Sequence, residues 1–319
     1  MLDHKFCVAP MMGYTDRHAR YFYRTLSDRA VLYTEMVVAR ALWHGDKTRF
    51  LAHDQTEHPV ALQLGGSDQK ELAWAAKEAK AAGFDEVNLN VGCPSDRVKR
   101  GGIGACLMAT PALVAECVAA MTDAGLPITV KTRIGIDHLD EYQHLAGFIE
   151  TVAAAGCQTF IVHARKAWLN GLSPKDNRKI PPLDYDRVYR LKQDFSHLTI
   201  VINGGIPDIQ AGANHLPQVD GVMLGRAIVD DPYLLAQVDQ ALYRQTTPMP
   251  SRTECASRML PYVERERSRG TRLALLVKPL LGLFRGQPGA RDFRRHLSEH
   301  AHRRDAGPEV LEAALRHLA

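Results

Sequence analysis

The residues with chemistry to offer cluster at the ends of short apolar runs. Gln63 lies in "VALQL", Asn88 and Asn90 alternate in "VNLNV", Lys131 and Arg133 in "ITVKTR", and His163 and Arg165 in "TFIVHAR", while Asn203 ends "TIVIN". A side-chain period of two puts each i, i+2 pair on one face of a strand. Cys93 follows the asparagine pair in "GCPSDRVKRGGIG", a stretch dense in Gly, Lys and Arg that reads as flexible and positively charged. Cations, carboxamides and a thiol gathered together suit an anionic ligand and proton transfer beside it. Any one of these groups alone is an ordinary satisfied interior residue. Lys, Arg, His and three Asn together are more than an apolar interior can satisfy without a ligand.

Eight strand-like runs position these groups: Phe6 to Met11, Leu32 to Met36, Val60 to Leu64, Val87 to Val91, Ile128 to Arg133, Thr159 to Arg165, Thr199 to Asn203 and Gly221 to Leu224. Helical patterns lie between them, such as "DQKELAWAAKEAKAAGF", with Ser67 or Asp68 as N-cap, and "TPALVAECVAAMTDAGL", both closing at a glycine. Eight βα units predict a closed (β/α)8 TIM barrel, whose chemistry gathers at the carboxyl ends of the strands. Such a barrel takes about 250 residues, which places its end near Tyr243. Past "RQTTPMPSR" the pattern is purely helical. The chain divides into a barrel domain, 1–245, and a small all-helical C-terminal domain, 246–319.

The last two strands sharpen the site. "INGGIPD" sets Gly204 and Gly205 after one strand, with Pro207 expected at the first position of a helix, and "MLGRAIVDD" sets Gly225 and Arg226 after the next. Bare backbone amides, helix starts and an arginine make a phosphate site, where barrels of this kind hold phosphate. A phosphate there and Lys131 partway round the barrel fit two chemistries. One is a flavin mononucleotide, with Lys131 stabilising the anionic reduced ring. The other is a Schiff-base aldolase, in which Arg133 depresses the lysine pKa.

Composition narrows the classes. With 319 residues, 45% hydrophobic and 24% charged, the chain has the make-up of an ordered globular protein. It shows neither a leader pattern nor an apolar run long enough to span a bilayer, so a cytoplasmic protein with no membrane association is expected. The six cysteines form no CxxC pair and no zinc spacing, so no metal is expected. Charge is uneven: residues 245–319 carry 14 Lys and Arg against 8 Asp and Glu, which suits an anionic partner.

"APMMGYTD", "LNVGCPS", "VKTRIG", "VHAR", "INGGI" and "GVMLGRA", in this order and followed by a helical tail, resemble the tRNA-dihydrouridine synthases. The resemblance spans almost the whole chain, and "WLNGLSPKDNRKIPPLDY" resembles the A subfamily, implying reduction of uridines 20 and 20a in the tRNA D-loop. It implies FMN as cofactor, with Pro10, Met11 and Met12 against the ring, Gln63 at its polar edge, and Lys131 and His163 in contact with it. Asn203, Gly204, Gly205, Gly225 and Arg226 are implied to hold the phosphate, and Cys93 to act as general acid. The resemblance further implies that hydride passes from flavin N5 to uracil C6 and a proton from Cys93 to C5. A thiol of ordinary pKa near 8.5 is mostly protonated at neutral pH, which suits a donor better than a nucleophile.

Asn90 offers a donor and an acceptor to an amide-like uracil edge, or a cap for its own loop, and substrate contact is the expectation. Uridine in folded tRNA must be extruded to reach a barrel mouth. The candidates for holding the remaining phosphates are Lys175, Arg178, Lys179, Arg291 and Arg294, with Lys99, Arg100, Arg295, Arg303 and Arg304 beside them. No dinucleotide fingerprint follows a strand, so the family's reductant, NADPH rather than NADH, is expected to visit the flavin face transiently. No obligate protein partner is evident, and a monomer is expected. The rival readings are the aldolase using Lys131 and a non-catalytic tRNA-binding barrel.

Overall fold

The computed structural model describes residues 2–318. Nine strands form one sheet: β1 Phe6–Val8, β2 Val31–Tyr33, β3 Val37–Val38, β4 Val60–Gly65, β5 Glu86–Asn90, β6 Ile128–Arg133, β7 Thr159–His163, β8 Thr199–Asn203 and β9 Gly221–Leu224. All pairings are parallel, and β2 pairs with β4 as well as with β1, which closes eight of the strands into a barrel. The two-residue β3 hangs on the outer end of β4 and was not anticipated. The first strand is shorter than its apolar run suggests, because Pro10 has no N–H to continue a ladder.

Apolar side chains divide between two layers. Cys7, Ala9, Val31, Tyr33, Ala61, Ile161, Val201 and Met223 fill the barrel interior, with Met11 packed on this cluster. A much larger cluster lies between the strands and the surrounding helices. The helix Gln69–Ala82 shows how local sequence builds that outer ring. Asp68 caps it by accepting from Glu71 N, Gly83 ends it at φ +96°, and Leu72, Ala75, Ala76 and Ala79 form its buried face. The helix Pro111–Thr122 begins on its proline and stops before Gly125, at φ +68°.

Beyond Tyr243 every regular element among the described residues is helical. These helices share the outer core with the barrel. Tyr262 stacks on Tyr21, with ring centroids 3.8 Å apart, and its hydroxyl lies 2.6 Å from His18 Nδ1. Lys278 Nζ donates to the Gly13 carbonyl at 2.6 Å, so the tail also ties down the loop that follows β1. No helix among the described residues is long and apolar enough to cross a membrane.

Candidate active site

Strand register brings the sequence-singled residues together. Asn90 is level with Lys131, Gln63 with Asn88, Arg133 with His163, and His163 with Asn203. Burial first and Arg133 second depress the Lys131 ammonium to a pKa of about 7. His163 is held well below its ordinary 6.5 by burial, then by Arg133, Lys131, Arg165 and Arg226, so it is neutral at physiological pH. No carboxylate among the described residues forms an ion pair with Lys131, Arg133, Arg165 or Arg226. His163 Nδ1 and Arg165 Nε are buried without a hydrogen-bond partner. Orphaned polar atoms amid uncompensated positive charge are what an anionic ligand resolves.

Arg133 is itself engaged. Its guanidinium donates to the carbonyls of Gly92 at 2.9 Å, Asn177 at 3.1 Å and Lys166 at 3.2 Å, tying together the loops that follow β5 and β7. Burial lowers its pKa to about 10, which leaves it charged.

Glycine turns follow β8 and β9 as the sequence suggests, and two residues beside them are placed differently from the expectation. Gly204 and Gly205 adopt φ +114° and +71°, and a Cβ on Gly205 would lie 2.6 Å from Leu183 Cδ1, so both positions need glycine. Tyr185 OH donates to the Gly204 carbonyl at 2.7 Å and fixes the turn. Pro207, however, precedes the helix Ile209–Ala213. Asp208 is its N-cap and accepts from Ala211 N at 2.7 Å, occupying one of the amides a phosphate would use. Asn203 departs from its expected role too: its Nδ2 donates to the Met223 carbonyl at 2.7 Å and its Oδ1 accepts from Lys131 Nζ at 3.0 Å. With both ends of the carboxamide engaged, Asn203 orients the lysine. Gly225 and Arg226 start the short helix Arg226–Asp230, and Ala9 and Met11 lie 3.3 Å from where a Gly225 Cβ would be.

Cys93 is half-buried, with Sγ 3.5 Å from Ser95 Oγ. Its loop is folded: Asp96–Arg100 form a short helix and Ala105 N donates to the Cys93 carbonyl at 2.9 Å. The stretch folds into a turn in which Gly102 and Gly104 take positive φ. Asn90 holds its start. Its Oδ1 accepts from the N–H groups of Gly92 at 3.1 Å and Cys93 at 3.0 Å, and its Nδ2 donates to Gln63 Oε1 at 2.9 Å. Asn90 therefore caps its own loop, with two backbone donors converging on its oxygen, and its Nδ2 keeps a second proton beyond the bond to Gln63.

Pro10 and Met11 are half-buried at the mouth, but Met12 is 65% exposed. Lys99, expected to be free for nucleic acid, donates at 2.7 Å to both the Leu169 carbonyl and Asn170 Oδ1, bracing one loop against another. Lys175, Arg178 and Lys179 are exposed on the segment before the helix Tyr185–Asp194. Arg178 is within electrostatic reach of Arg226, Cys93 and Tyr14, which puts it at the mouth. Arg291 and Arg294 are exposed on the helix Ala290–His300, which turns Phe293 and Leu297 inward. Sequence reasoning missed Glu86 and Thr129, both buried and hydrogen-bonded to each other at 2.7 Å. The signal was there, since Glu86 continues the Asn88, Asn90 alternation one step back.

The family model described as dihydrouridine synthase matches residues 7–319. A Vibrio cholerae protein named tRNA-dihydrouridine(20/20a) synthase is 56% identical over 98% of this chain and 95% of its own. Proteins of the same name from Shewanella oneidensis and Escherichia coli are 57% identical over 98% of this chain and 93% of theirs, and 55% identical over 99% and 96%. Among solved structures, morphinone reductase superposes with a TM-score of 0.54 at 12% identity, over 73% of this chain and 84% of that one, a likeness of fold alone.

Proposed function

Because this chain belongs to the dihydrouridine synthase family, we propose that the cationic barrel mouth binds FMN and that the enzyme uses it to reduce uridines 20 and 20a of tRNA to dihydrouridine. The observation that carries this reading is the carboxylate-free cluster of Lys131, His163, Arg165 and Arg226 with its orphaned His163 Nδ1 and Arg165 Nε. These groups, with the bare backbone of Gly204, Gly205 and Gly225, fit an anionic flavin nucleotide.

Bound flavin, once reduced, supplies the hydride that saturates uracil at C6. The chain's own residues do the rest. Lys131, oriented by Asn203, sets positive charge beside the cofactor and takes up a proton as negative charge arrives. Gln63, held by Asn88 and Asn90, offers its remaining amide proton and lone pair to a polar edge. The Cys93 thiol, presented by the capped loop, delivers a proton to C5 and completes the addition across the double bond. Arg178 and the exposed cations Lys175, Lys179, Arg291 and Arg294 hold phosphates of the tRNA whose base is turned into the mouth, with the helical segment 246–319 as part of that surface. NADPH is the proposed reductant, the working unit a monomer and the cytoplasm its place of action.

The depressed Lys131 also meets the requirement of a Schiff-base lysine, and one set of measurements separates the two readings. Purified protein is expected to take up FMN with a yellow absorbance band and to form dihydrouridine on cognate tRNA when NADPH is added. A colourless protein that does not take up FMN, or a Lys131 adduct trapped by borohydride with a carbonyl substrate, overturns the flavin reading. Mapping dihydrouridine in tRNA from cells lacking the protein is expected to show loss at positions 20 and 20a. Loss confined to 16 or 17 contradicts the positional assignment.

A further inference from the structure

A line of hydrogen bonds runs up the barrel from Glu86, level with Ala61 of the interior cluster, to the loop that carries Cys93, and its lower part has no place in the reaction as described above. Glu86, fully buried, accepts from Thr129 Oγ1 at 2.7 Å. Thr129 Oγ1 accepts from Asn88 Nδ2 at 2.9 Å, Asn88 Oδ1 from Gln63 Nε2 at 2.8 Å, and Gln63 Oε1 from Asn90 Nδ2 at 2.9 Å. Asn90 Oδ1 then accepts from Gly92 N and Cys93 N. Every link is buried or partly so, and no side chain in it is more than 9% exposed.

The two ends of this line are each single-valued. The Glu86 oxygen receives two hydroxyls, from Thr129 and Tyr33, and so accepts, and a backbone N–H only donates. Both ends therefore demand the same sense from the three carboxamides between them. Turning any one end for end would set oxygen against oxygen or N–H against N–H in a buried site, where unmade hydrogen bonds are expensive. Glu86 is steadied further by His4 Nε2 at its other oxygen, 2.6 Å away, and by Tyr33 OH, which donates at 2.9 Å to the oxygen that Thr129 uses.

We propose that Glu86, Thr129 and Asn88 are positioning residues that lock the orientation of Gln63 and Asn90 and, through Asn90, the backbone that presents Cys93. The inference rests on the flavin reading above for what Gln63 and Cys93 then do. Removing the Thr129 hydroxyl cuts the line in its middle. It leaves Asn88 Nδ2 without a partner and releases Gln63 to adopt more than one sense. Thr129→Ser keeps the hydroxyl. Tyr33→Phe removes the other donor to the same Glu86 oxygen and leaves the line intact, so it controls for a general loosening of the barrel.

The test compares Thr129→Val, Thr129→Ser and Tyr33→Phe with the parent by FMN dissociation constant, the visible spectrum of bound FMN, and kcat and KM for tRNA. Thr129→Val is expected to weaken FMN binding and to lower kcat, each by about 10-fold, the size of effect that follows from an unmade buried hydrogen bond, and to shift the flavin band. Thr129→Ser is expected to recover most of each loss. Tyr33→Phe is expected to stay within about 2-fold of the parent in both. Thr129→Val values within 2-fold of the parent, or losses in Tyr33→Phe as large as those in Thr129→Val, overturn the proposal. A parent protein that binds no FMN instead overturns the flavin reading, a distinguishable result. If Thr129→Val does not fold, side-chain amide exchange in the parent decides: slow exchange of the bonded Gln63 and Asn90 protons supports the lock, and exchange as fast as that of an exposed Asn refutes it.

Discussion

Lys131 Nζ on β6 donates to Asn203 Oδ1 on β8 at 3.0 Å, reaching past the intervening strand β7. The bond holds a lysine of pKa about 7 against the barrel wall, and no carboxylate among the described residues pairs with it. Such a group is a proton acceptor in waiting, since any anion arriving beside it raises its pKa.

FMN binding is accordingly expected to take up protons near pH 8 and to tighten as pH falls from 9 to 7. Calorimetry in buffers of different ionisation enthalpy measures this, and Lys131→Met should reduce the uptake. Stability of the ligand-free protein carries the opposite sign. Between pH 7 and about 10 the unfolded chain binds a proton at Lys131 that the folded chain does not, so this residue makes stability rise with pH in that window. Urea midpoints of Lys131→Met should lack that rise.

Cys93→Ala should leave FMN affinity unchanged and lower dihydrouridine formation by about 10²- to 10⁴-fold, the range for loss of a general acid. Retained turnover on cognate tRNA would remove the thiol from the reaction.

Gly205→Ala places a Cβ at φ +71° and 2.6 Å from Leu183 Cδ1. It should destabilise the fold by about 1–3 kcal/mol and weaken FMN binding as the loop shifts. Thermal melts with and without FMN check both effects, and an unchanged melt would mean the loop yields freely.

The His4 pair with Glu86 has its own pH signature. Burial pulls the His4 pKa down, but the Glu86 hydrogen bond and charge outweigh it and raise the value above 6.5. The stabilisation is fully present below the unfolded value near 6.5 and is lost as pH rises through the folded one. The stability gap between the parent and His4→Gln should therefore shrink as pH climbs from 6 to 8. A gap that widens with pH would assign the opposite sign to the pair.

Charge reversal at Arg178, beside the mouth, should weaken tRNA binding and reduce its salt dependence by about one phosphate's worth. Arg291→Glu and Arg294→Glu test whether the C-terminal helices share that surface. Filter binding at several salt concentrations reads all three, and unchanged slopes would move the tRNA path elsewhere.

Much of this protein was legible in its residue order because barrel strands have a strict period of two and because glycine and proline mark where strands end. The eight strands, the glycine turns after β8 and β9, and the presence of Lys131, His163 and Cys93 in one mouth all follow from local pattern. The helical nature of the tail follows from it too.

Partner choice does not follow from local pattern. Whether Asn90 faces substrate or caps its own loop depends on two amides converging on one oxygen, and whether Asn203 holds phosphate or steers Lys131 depends on a strand two places away. Glu86 illustrates the same limit: the alternation could mark it as inward-facing, but only the closed barrel set Thr129 beside it. A side chain's direction is written in its own strand, whereas its hydrogen-bond partners lie on other strands, and closure of the sheet decides which of them come within 3 Å.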